Sequence, residues 1–331
     1  NFSHQVEHIS LAQRTDLVII APATANVCAK LAHGLADDML TTTVLASRCP
    51  KLIAPAMNTA MLENPATQEN LATLRRYGFT VIEPATGMLA CKDVGSGKLP
   101  EPEVLCEEIY RVIAREKDLQ GLHITVTAGP TQESLDPVRF LTNHSSGKMG
   151  YAIAREAMLR GADVTLISGP TALKPVPGVK TVDVVSARDM FEAVQTALPA
   201  TDILIKAAAV ADYRPANVAE DKIKKQPGEM SIPLERTDDI LGWVAEHRHP
   251  GLFVCGFSME TRDMVENSKK KLAKKHLDMI AANNLKVAGA GFGVDTNVVT
   301  ILTADGIREL PLMGKDQVAS QLLDAILERR K

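Results

Sequence analysis

Residues 123–160 combine an apolar stretch, a polar loop and a helical pattern, in that order. His123–Thr127 is β-like, the loop from Thr127 to Gly150 reads TAGPTQESLDPVRFLTNHSSGKMG, and the helical pattern begins at Tyr151. A strand, a loop and a helix N-terminus in sequence build an anion site, because backbone N–H groups and the helix dipole point outward there. The loop also supplies side-chain donors, namely Arg139, Asn143, Ser145, Ser146 and Lys148. The loop is therefore predicted to bind a phosphate or a carboxylate.

Strand-length apolar stretches alternate with helical patterns over the whole 331 residues. This alternation predicts parallel sheets, and the length predicts two domains. In the first half, strands are predicted at 16–21, 51–55 and 80–83, and helices at 6–11, 27–35, 66–77 and 102–115. The charged segment 117–121 is predicted to be a linker.

The second half is predicted to form a doubly wound, Rossmann-type sheet that binds ligands at the carboxyl ends of its strands. Its predicted strands are 122–127, 163–168, 181–185, 202–207, 251–255, 278–282 and 298–303. Its predicted helices lie near 147–160, 187–198, 237–246, 264–276 and 315–329. Neither a GxGxxG fingerprint nor a GxxxxGK[ST] loop is present, so any nucleotide site must be non-standard.

Composition weighs against several classes of function. A net charge of −3 and an aromatic content of 4% argue against nucleic acid as a partner. No apolar stretch approaches the ~20 residues needed to cross a membrane. Five cysteines without a CxxC pair predict reduced thiols in a cytoplasmic protein. The absence of CxxC and HExxH motifs leaves no predicted metal cage.

Three residues of the first half could carry chemistry, and each has a structural alternative. His8 is either a partly exposed helix histidine or a base near neutral pH. Asn58 follows a predicted strand, where it either caps a turn or binds a ligand. Cys91 lies in the glycine-rich segment ACKDVGSGK, where it is either inert or a proton donor or nucleophile. The other cysteines are predicted to be inert packing residues: Cys28, Cys49, Cys106 and Cys255.

Each acidic or basic candidate of the second half is likewise either a structural surface residue or a ligand-binding residue. Asp212 ends an apolar stretch and is either a surface residue or placed to bind a metal-bound nucleotide or a ribose. The clusters 222–225 and 269–275 are either solvated faces or anion sites. Lys271 and Lys275 are spaced i,i+4 and share one helix face, where two ammonium groups repel each other unless a polyanion is present. Together with the anion-binding loop, this spacing favours a triphosphate ligand.

Sequence blocks spread over nearly the whole chain resemble the bifunctional coenzyme A biosynthesis proteins of bacteria. The blocks are HISLA, APATAN, PAMN, ACKDVGSGK, TAGPTQESLDPVRFLTNHSSGKMG, AAAVADYRP, KIKK and GFSMET. In that family a phosphopantothenoylcysteine decarboxylase is fused to a phosphopantothenate–cysteine ligase. The resemblance implies an α/β fold with mainly parallel sheets: a flavodoxin-like decarboxylase domain over 1–116, the linker 117–121, and a Rossmann-like ligase domain over 122–331.

The resemblance implies a two-step ligase reaction. The carboxylate of 4′-phosphopantothenate attacks CTP, giving an acyl-cytidylate and pyrophosphate, and the amine of cysteine then releases CMP. Asn143 is implied to orient the acyl intermediate, and Lys222 to neutralise charge that develops on the CTP phosphates. Substrate anions are implied to bind at Arg139, Ser145, Ser146, Gly147 and Lys148. CTP is implied to bind at Ala208, Asp212, Lys222, Phe257, Lys271 and Lys275. Mg²⁺ is expected with the triphosphate, with its ligands unassigned.

The resemblance also implies an FMN-dependent decarboxylase. FMN oxidises the thiol of 4′-phosphopantothenoylcysteine to a thioaldehyde, carbon dioxide leaves, and the enethiol is then reduced. His8 is implied to act in the oxidative half, and Cys91 to protonate the enethiol. Asn58 is implied to hold the substrate carboxylate beside Met57. Thr24 and Asn26 are implied to lie near the flavin.

The family opens with a strand and a glycine-rich loop for the flavin phosphate, and neither precedes the helix predicted around His8. The chain therefore resembles the remainder of a longer protein. If it begins here, the decarboxylase half is expected to be a scaffold; if it is a fragment, both activities belong to the parent. The family also implies a homo-oligomer, a dodecamer built from decarboxylase trimers and ligase dimers.

Two other classes of function remain open at this point. One is a nicotinamide dinucleotide oxidoreductase on two Rossmann-like domains, against which the missing GxGxxG fingerprint weighs. The other is a non-catalytic flavoprotein-like scaffold or regulatory subunit.

Overall fold

The computed structural model describes residues 6–88, 94–225, 227–228, 230–260, 264–284, 291 and 293–330, without the side chains of Glu260 and Asn284. The chain divides into two compact units, unit 1 (Asn1–Glu116) and unit 2 (Lys117–Lys331).

Unit 1 is built on a three-stranded parallel sheet in the order β1-β2-β3. The strands are β1 (Val18–Ala23), β2 (Lys51–Pro55) and β3 (Phe79–Val81). The helices are α1 (Glu7–Arg14), α2 (Ala25–Ala32), α3 (Met39–Ala46), α4 (Thr59–Glu63), α5 (Pro65–Arg76) and α6 (Pro102–Ile113). An antiparallel hairpin joins β4 (Ala85–Met88) to β5 (Val94–Lys98).

Both faces of the unit 1 sheet are covered, which explains why β2 is apolar after its first residue, Lys51. Ile53 packs in a core formed with α2, α3, α4 and α5. Its neighbours Leu52 and Ala54 point to the opposite face, where α6 supplies Leu105 and Val112. The result is a three-layer α/β unit.

Unit 2 is built on an eight-stranded sheet in the order β10-β9-β6-β11-β14-β15-β17-β18. Its strands are β6 (His123–Ala128), β9 (Asp163–Ser168), β10 (Lys180–Asp183), β11 (Ile203–Lys206), β14 (Phe253–Glu260), β15 (Met279–Asn284), β17 (Val299–Thr303) and β18 (Ile307–Glu309). Pairing is parallel from β10 to β15, and β17 and β18 are antiparallel additions.

Helices cover both faces of the unit 2 sheet. They are α7 (Lys148–Leu159), α8 (Ala187–Ala197), α9 (Ile240–Glu246), α10 (Met264–Lys274) and α11 (Lys315–Arg330). One core packs α7 and α11 on the sheet, and the other packs α8, α9 and α10 on the opposite face. Three short antiparallel pairs complete the unit: β7 (Gln132–Ser134) with β8 (Phe140–Thr142), β12 (Tyr213–Pro215) with β13 (Leu234–Arg236), and β16 (Thr296–Asn297) with β19 (Met313–Gly314).

The strand order places a topological switch point between β6 and β11. From β6 the chain first builds outward through β9 and β10, and it then returns to build the other side from β11. Loops leaving two neighbouring strands in opposite directions open a crevice at their carboxyl ends, where doubly wound folds bind ligands. The loop after β6 is the polar loop of residues 127–150 that the sequence singled out.

The predicted α/β fold with mainly parallel sheets is confirmed. The predicted linker 117–121 is wrong, because this segment packs on unit 2. Leu119 is fully buried in the unit 2 core. The ammonium of Lys117 donates to the carbonyl of Leu159 at 2.6 Å, and Asp118 pairs with Arg160. Within the described residues, no helix is long and apolar enough to span a bilayer.

The cysteines differ in their surroundings. Cys28 and Cys255 are buried, and burial raises the pKa of the Cys28 thiol to about 11 and also raises that of Cys255. Cys106 is exposed, so its predicted role as a packing residue is wrong. Cys91 lies outside the described residues.

Replacing Gly150 with alanine should destabilise unit 2. A Cβ atom there would lie 2.5 Å from the Cβ of Ala128, because α7 packs directly on β6. We expect Gly150→Ala to lower the free energy of unfolding by about 1–3 kcal/mol, the usual cost of overpacking. Chemical denaturation measures the change, and Gly306→Ala is the control because its Cβ would meet open space. Equal stabilities of the two variants would contradict the close packing.

Candidate functional site

A glycine places the polar loop at the start of α7. Gly147 is the N-cap residue, with φ of 79° in the left-handed region. Its backbone N–H donates to the Ser145 hydroxyl at 3.4 Å. A Cβ on Gly147 would lie 2.8 Å from the Thr171 side chain. Glycine thus allows both the turn and the close approach that bring Ser145 to the helix N-terminus.

The loop forms one wall of the first cavity, which has a volume of about 110 Å³. The opposite wall is the segment Ala207–Ala209 that follows β11, together with Phe257 of β14. Ser145, Ser146, Gly147 and Lys148, all predicted to bind substrate anions, line this cavity. Its position at the β6–β11 switch point agrees with the prediction of an anion site there.

Two lysines lie at the first cavity. The Lys148 ammonium pairs with Asp295 at 2.7 Å and donates to the carbonyl of Gly293 at 3.0 Å. Lys315, the first residue of α11, is only 6% exposed and donates to the carbonyl of Gly291 at 3.0 Å. Burial lowers the pKa of Lys315, and the nearby Lys148 lowers it further. An anion in this cavity would therefore meet two cations, one of them already paired with a carboxylate.

Asn143 connects the loop to the segment after β11. Its side-chain amide Nδ2 donates to the carbonyl of Ala209 at 2.9 Å. Ala209 lines the first cavity, and the next residue, Val210, lines a second. Asn143 is thus bound to the segment that lines both cavities, although it is not among the described residues that line either one.

The second cavity has a volume of about 370 Å³, and charged side chains of three segments line it. Asp212 follows β11, Asp239 caps the N-terminus of α9, and Lys271 lies on α10, one turn before Lys275. The Lys275 ammonium pairs with the Asp239 carboxylate. The Lys271 ammonium donates to the carbonyl of Phe257 at 2.9 Å. Both lysines face one cavity, as their spacing predicted, and Asp239 reduces their mutual repulsion.

Asp239 keeps its charge despite partial burial. Burial alone would raise the pKa of its carboxyl group. Hydrogen bonds from Lys275 and from the Gly242 N–H, the latter at 3.0 Å, outweigh burial and lower the pKa. The Asp239 carboxylate therefore caps the N-terminus of α9 and also holds the Lys275 ammonium in place.

The predicted CTP residues divide between the two cavities. Ala208 and Phe257 line the first, whereas Asp212, Lys271 and Lys275 line the second. Lys222 is exposed and is not among the described residues that line either one.

Arg139 anchors the segment that carries Lys222. Its guanidinium donates to the buried Asp136 carboxylate, with Nε 3.0 Å from Oδ2, and to the carbonyl of Ile223 at 2.8 Å. Asp136 also accepts from the Ile223 N–H at 3.1 Å. The Asp136–Arg139 ion pair therefore binds both the N–H and the carbonyl of Ile223, the residue that follows Lys222. A direct contact between Arg139 and substrate stays a prediction.

If Lys222 acts on the CTP phosphates, as the resemblance implies, the Asp136→Asn variant should slow that step. The Arg139 guanidinium holds the pKa of Asp136 well below its usual range, so the anchor is charged at neutral pH and is lost only in acid. Its loss should misplace the 221–225 segment and reduce pyrophosphate release roughly tenfold or more, as small misplacements at active sites do. Exposed Asp221→Asn is the matched control. Equal rates in the two variants would exclude the anchoring role.

In unit 1, Asn58 lies where β2 ends and α4 begins. Its Oδ1 accepts from the backbone N–H of Ala60 at 2.9 Å, so Asn58 does cap a helix. The β4–β5 hairpin packs on this segment: the Met57 N–H donates to the carbonyl of Gly97 at 3.0 Å, and the Thr59 hydroxyl donates to that of Ser96 at 2.8 Å. Strand β5 is therefore fixed against the residues on either side of Asn58.

The other unit 1 candidates lie on neighbouring helices. Thr24 follows β1 and caps α2, its hydroxyl accepting from the Val27 N–H at 3.3 Å, and both Thr24 and Asn26 are exposed. His8 is partly buried on α1, which packs against α3. Within the described residues, the structure shows no hydrogen bond between His8 and Asn58 or Thr24.

Lys206, Lys315 and Asp239 line the cavities but were not identified from the sequence. Lys206 could have been noticed as a lysine inside the apolar stretch ILIKAAAVA. Asp239 could have been recognised as a helix cap before the apolar residues of α9. Lys315 carries no local signal, because only the fold brings α11 to the loop after β6.

Two family models match the chain. The model described as Flavoprotein matches residues 1–114, and that of the DNA/pantothenate metabolism flavoprotein C-terminal domain matches residues 119–329. The coenzyme A biosynthesis bifunctional protein CoaBC of Bacillus subtilis (strain 168) is 50% identical over 325 residues, which cover 97% of this chain and 80% of that protein. The chain belongs to the family of coenzyme A biosynthesis bifunctional proteins.

Further comparisons agree with membership in the bifunctional family. The crystal structure of the C-terminal domain of a CoaBC protein has a TM-score of 0.54 and 47% identity, covering 63% of this chain and 95% of that chain. A cysteine/cysteine sulfinic acid decarboxylase from an unknown prokaryotic organism is 44% identical over 326 residues, 97% of this chain and 91% of that protein. The predicted resemblance is confirmed, and with it a role in coenzyme A biosynthesis through decarboxylase and ligase activities.

Proposed function

We propose that unit 2 joins 4′-phosphopantothenate to cysteine at the expense of CTP, and that unit 1 belongs to the decarboxylase that acts on the product. The observation that carries the first part is the pair of adjoining cavities at the carboxyl ends of β6, β11 and β14. One is lined by an anion-binding loop at a helix N-terminus, and the other by lysines and aspartates. Such a pair suits a reaction between an anionic acid and a nucleoside triphosphate.

In the first step, a carboxylate oxygen of 4′-phosphopantothenate attacks the α-phosphorus of CTP, and pyrophosphate leaves. The first cavity binds phosphopantothenate through Ser145, Ser146, Gly147 and Lys148. Lys271 and Lys275 in the second cavity bind the triphosphate, and Asp212 and the backbone near Ala208 help to position the nucleotide. Lys222, on its anchored segment, neutralises charge that develops on the leaving phosphates.

In the second step, the amine of cysteine attacks the activated carbonyl and releases CMP. Asn143 holds the acyl-cytidylate for this attack; its hydrogen bond to Ala209, in the segment that lines both cavities, supports this role. An activated acyl group is needed because a free carboxylate is a poor acylating agent.

The proposal includes Mg²⁺ bound with the triphosphate. Among the residues that the structure describes, no group of three histidine, cysteine, aspartate or glutamate side chains could hold a metal ion. Mg²⁺ usually relies on substrate phosphates and water more than on a protein cage.

For unit 1, we propose that FMN binds beside the carboxyl ends of β1 and β2. Exposed Thr24 and Asn26 at the start of α2 offer polar contacts there, and this position is typical of ligands in open α/β sheets. Bound FMN would supply the two-electron oxidation and reduction of the substrate. Asn58 and Met57 hold the substrate carboxylate, and His8 acts as a base.

Cys91 is proposed to protonate the enethiol that remains after carbon dioxide has left. In a protein that contains the complete decarboxylase, Cys91→Ser should therefore release carbon dioxide but form little reduced product, because a hydroxyl is a far weaker acid than a thiol. Mass spectrometry would detect the accumulated enethiol, and Cys106→Ser is the control. A normal yield of 4′-phosphopantetheine would remove Cys91 from this role.

We further propose that the protein is a cytoplasmic homo-oligomer with dimeric ligase units. Exposed apolar side chains on the β7–β8 pair with its turn, and on the β12–β13 pair, support a dimer: Val138 (59% exposed), Phe140 (47%), Tyr213 (48%) and Leu234 (48%). Surfaces of this kind mark protein interfaces.

A nucleotide titration tests the ligase proposal against the oxidoreductase alternative. Calorimetry with CTP and with NADH, each in the presence of Mg²⁺, should show binding of CTP alone. Binding of NADH in place of CTP would overturn the proposal.

A further inference from the structure

Lys206 is the last residue of β11, the central strand at the switch point. It pairs with Thr127 of β6 and Gly256 of β14. Side chains alternate along a strand, so Lys206 points to the same face as Leu204, which packs in the core below α9 and α10. Lys206 is also one of the residues that line the second cavity.

The Lys206 ammonium has no hydrogen-bond or ion-pair partner within the described part of the chain. The two other lysines of the cavity are engaged, Lys275 by Asp239 and Lys271 by the carbonyl of Phe257. A partly buried cation without a partner is costly unless something outside the chain compensates it. Lys206 is therefore the lysine that can bind an anion without giving up a protein contact.

We propose that Lys206 binds the phosphates of the nucleotide together with Lys271 and Lys275, the two other lysines that line the second cavity. This inference rests on the proposed function, in which the second cavity holds the triphosphate of CTP. In this proposal Lys206 adds a contact from the sheet to the contacts that Lys271 and Lys275 make with the triphosphate. Because β11 is held on both edges by parallel strands, the position of Lys206 is fixed before the nucleotide arrives.

The charge of Lys206 depends on the groups around it. Burial and, to a smaller extent, the nearby Lys271 lower the pKa of Lys206 to about 8, although Asp212 and Asp239 act in the opposite direction. Lys275 also lines the cavity, but its ammonium is paired with Asp239. Lys206 is charged below about pH 8 and loses its proton as the pH rises, so nucleotide affinity should fall over that range.

Calorimetry with CTP on the whole chain tests the assignment. At neutral pH, Lys206→Met should raise the Kd for CTP by roughly ten- to one-hundredfold, the effect of losing a charge-assisted hydrogen bond. Lys206→Arg, which stays charged, should bind CTP at neutral pH and lose the decline in affinity above about pH 8. Exposed Lys274→Met on α10 removes the same charge from the surface and should leave the Kd nearly unchanged.

Inorganic tripolyphosphate identifies the part of the nucleotide that Lys206 contacts. Its Kd should rise in Lys206→Met by the same factor as that of CTP. An unchanged Kd for tripolyphosphate, or CTP binding by Lys206→Met within twofold of the unmodified chain, would overturn the inference. If Lys206→Met does not fold, the pH dependence of the unmodified chain against Lys206→Arg still decides the question. If the unmodified chain did not bind CTP, that result would instead contradict the proposed function.

Discussion

The Asn143→Asp variant should form the acyl-cytidylate and then stop. The Asn143 amide donates to the carbonyl of Ala209 at 2.9 Å, and a carboxylate in its place would repel that oxygen and the phosphate of the intermediate. We expect pyrophosphate release in a single burst and amide formation slowed about 10²- to 10³-fold, the cost of removing one transition-state donor. Rapid-quench mass spectrometry would detect both the intermediate and the amide.

His144→Asn is the matched control for Asn143, because it changes the neighbouring exposed side chain of the same loop. It should turn over normally. If Asn143→Asp formed the amide at the normal rate, or failed already at pyrophosphate release, Asn143 would have no special role in the second step.

The Lys222→Gln variant should be impaired in the first step of the reaction, the release of pyrophosphate. Lys222 is exposed, but its neighbour Ile223 is held on both sides by Asp136 and Arg139. If the ammonium stabilises the leaving phosphates, glutamine should reduce pyrophosphate release by about 10²-fold or more, while CTP still binds through Lys206, Lys271 and Lys275.

A second lysine of the same cluster provides the control for Lys222. Lys224→Gln removes an equal charge two residues away and should have little effect on the rate of pyrophosphate release. If the two variants lost the same fraction of the rate of pyrophosphate release, the summed charge of the lysine cluster would be responsible and not Lys222 in particular.

The predicted elements that match the structure have strong patterns of their own. Strand β2 is an apolar stretch between polar loops, and its prediction at 51–55 agrees with Lys51–Pro55. The helix starting near residue 147 follows from glycine in the loop and a 3.6-residue period after it. These signals lie within a few residues of one another, where sequence alone is informative.

What the sequence did not reveal depends on distant contacts. The hairpin of β4 and β5 has glycines and no apolar alternation, and it is formed because Gly97 approaches Met57. The division of the CTP residues into two cavities follows from the β6–β11 switch point, which no single segment encodes. Segment 117–121 looked like a linker because it is charged, yet its one apolar residue, Leu119, is fully buried.

The central claim is that the carboxylate of 4′-phosphopantothenate becomes bonded to the α-phosphorus of CTP. It is tested most directly by supplying 4′-phosphopantothenate labelled with ¹⁸O in its carboxylate, together with CTP, Mg²⁺ and cysteine. Cleavage of the acyl carbon–oxygen bond in the second step leaves one carboxylate oxygen on the phosphate of CMP. One molecule of CMP carrying one ¹⁸O atom should therefore appear for each amide formed. Unlabelled CMP, or the formation of CDP and phosphate, would contradict it.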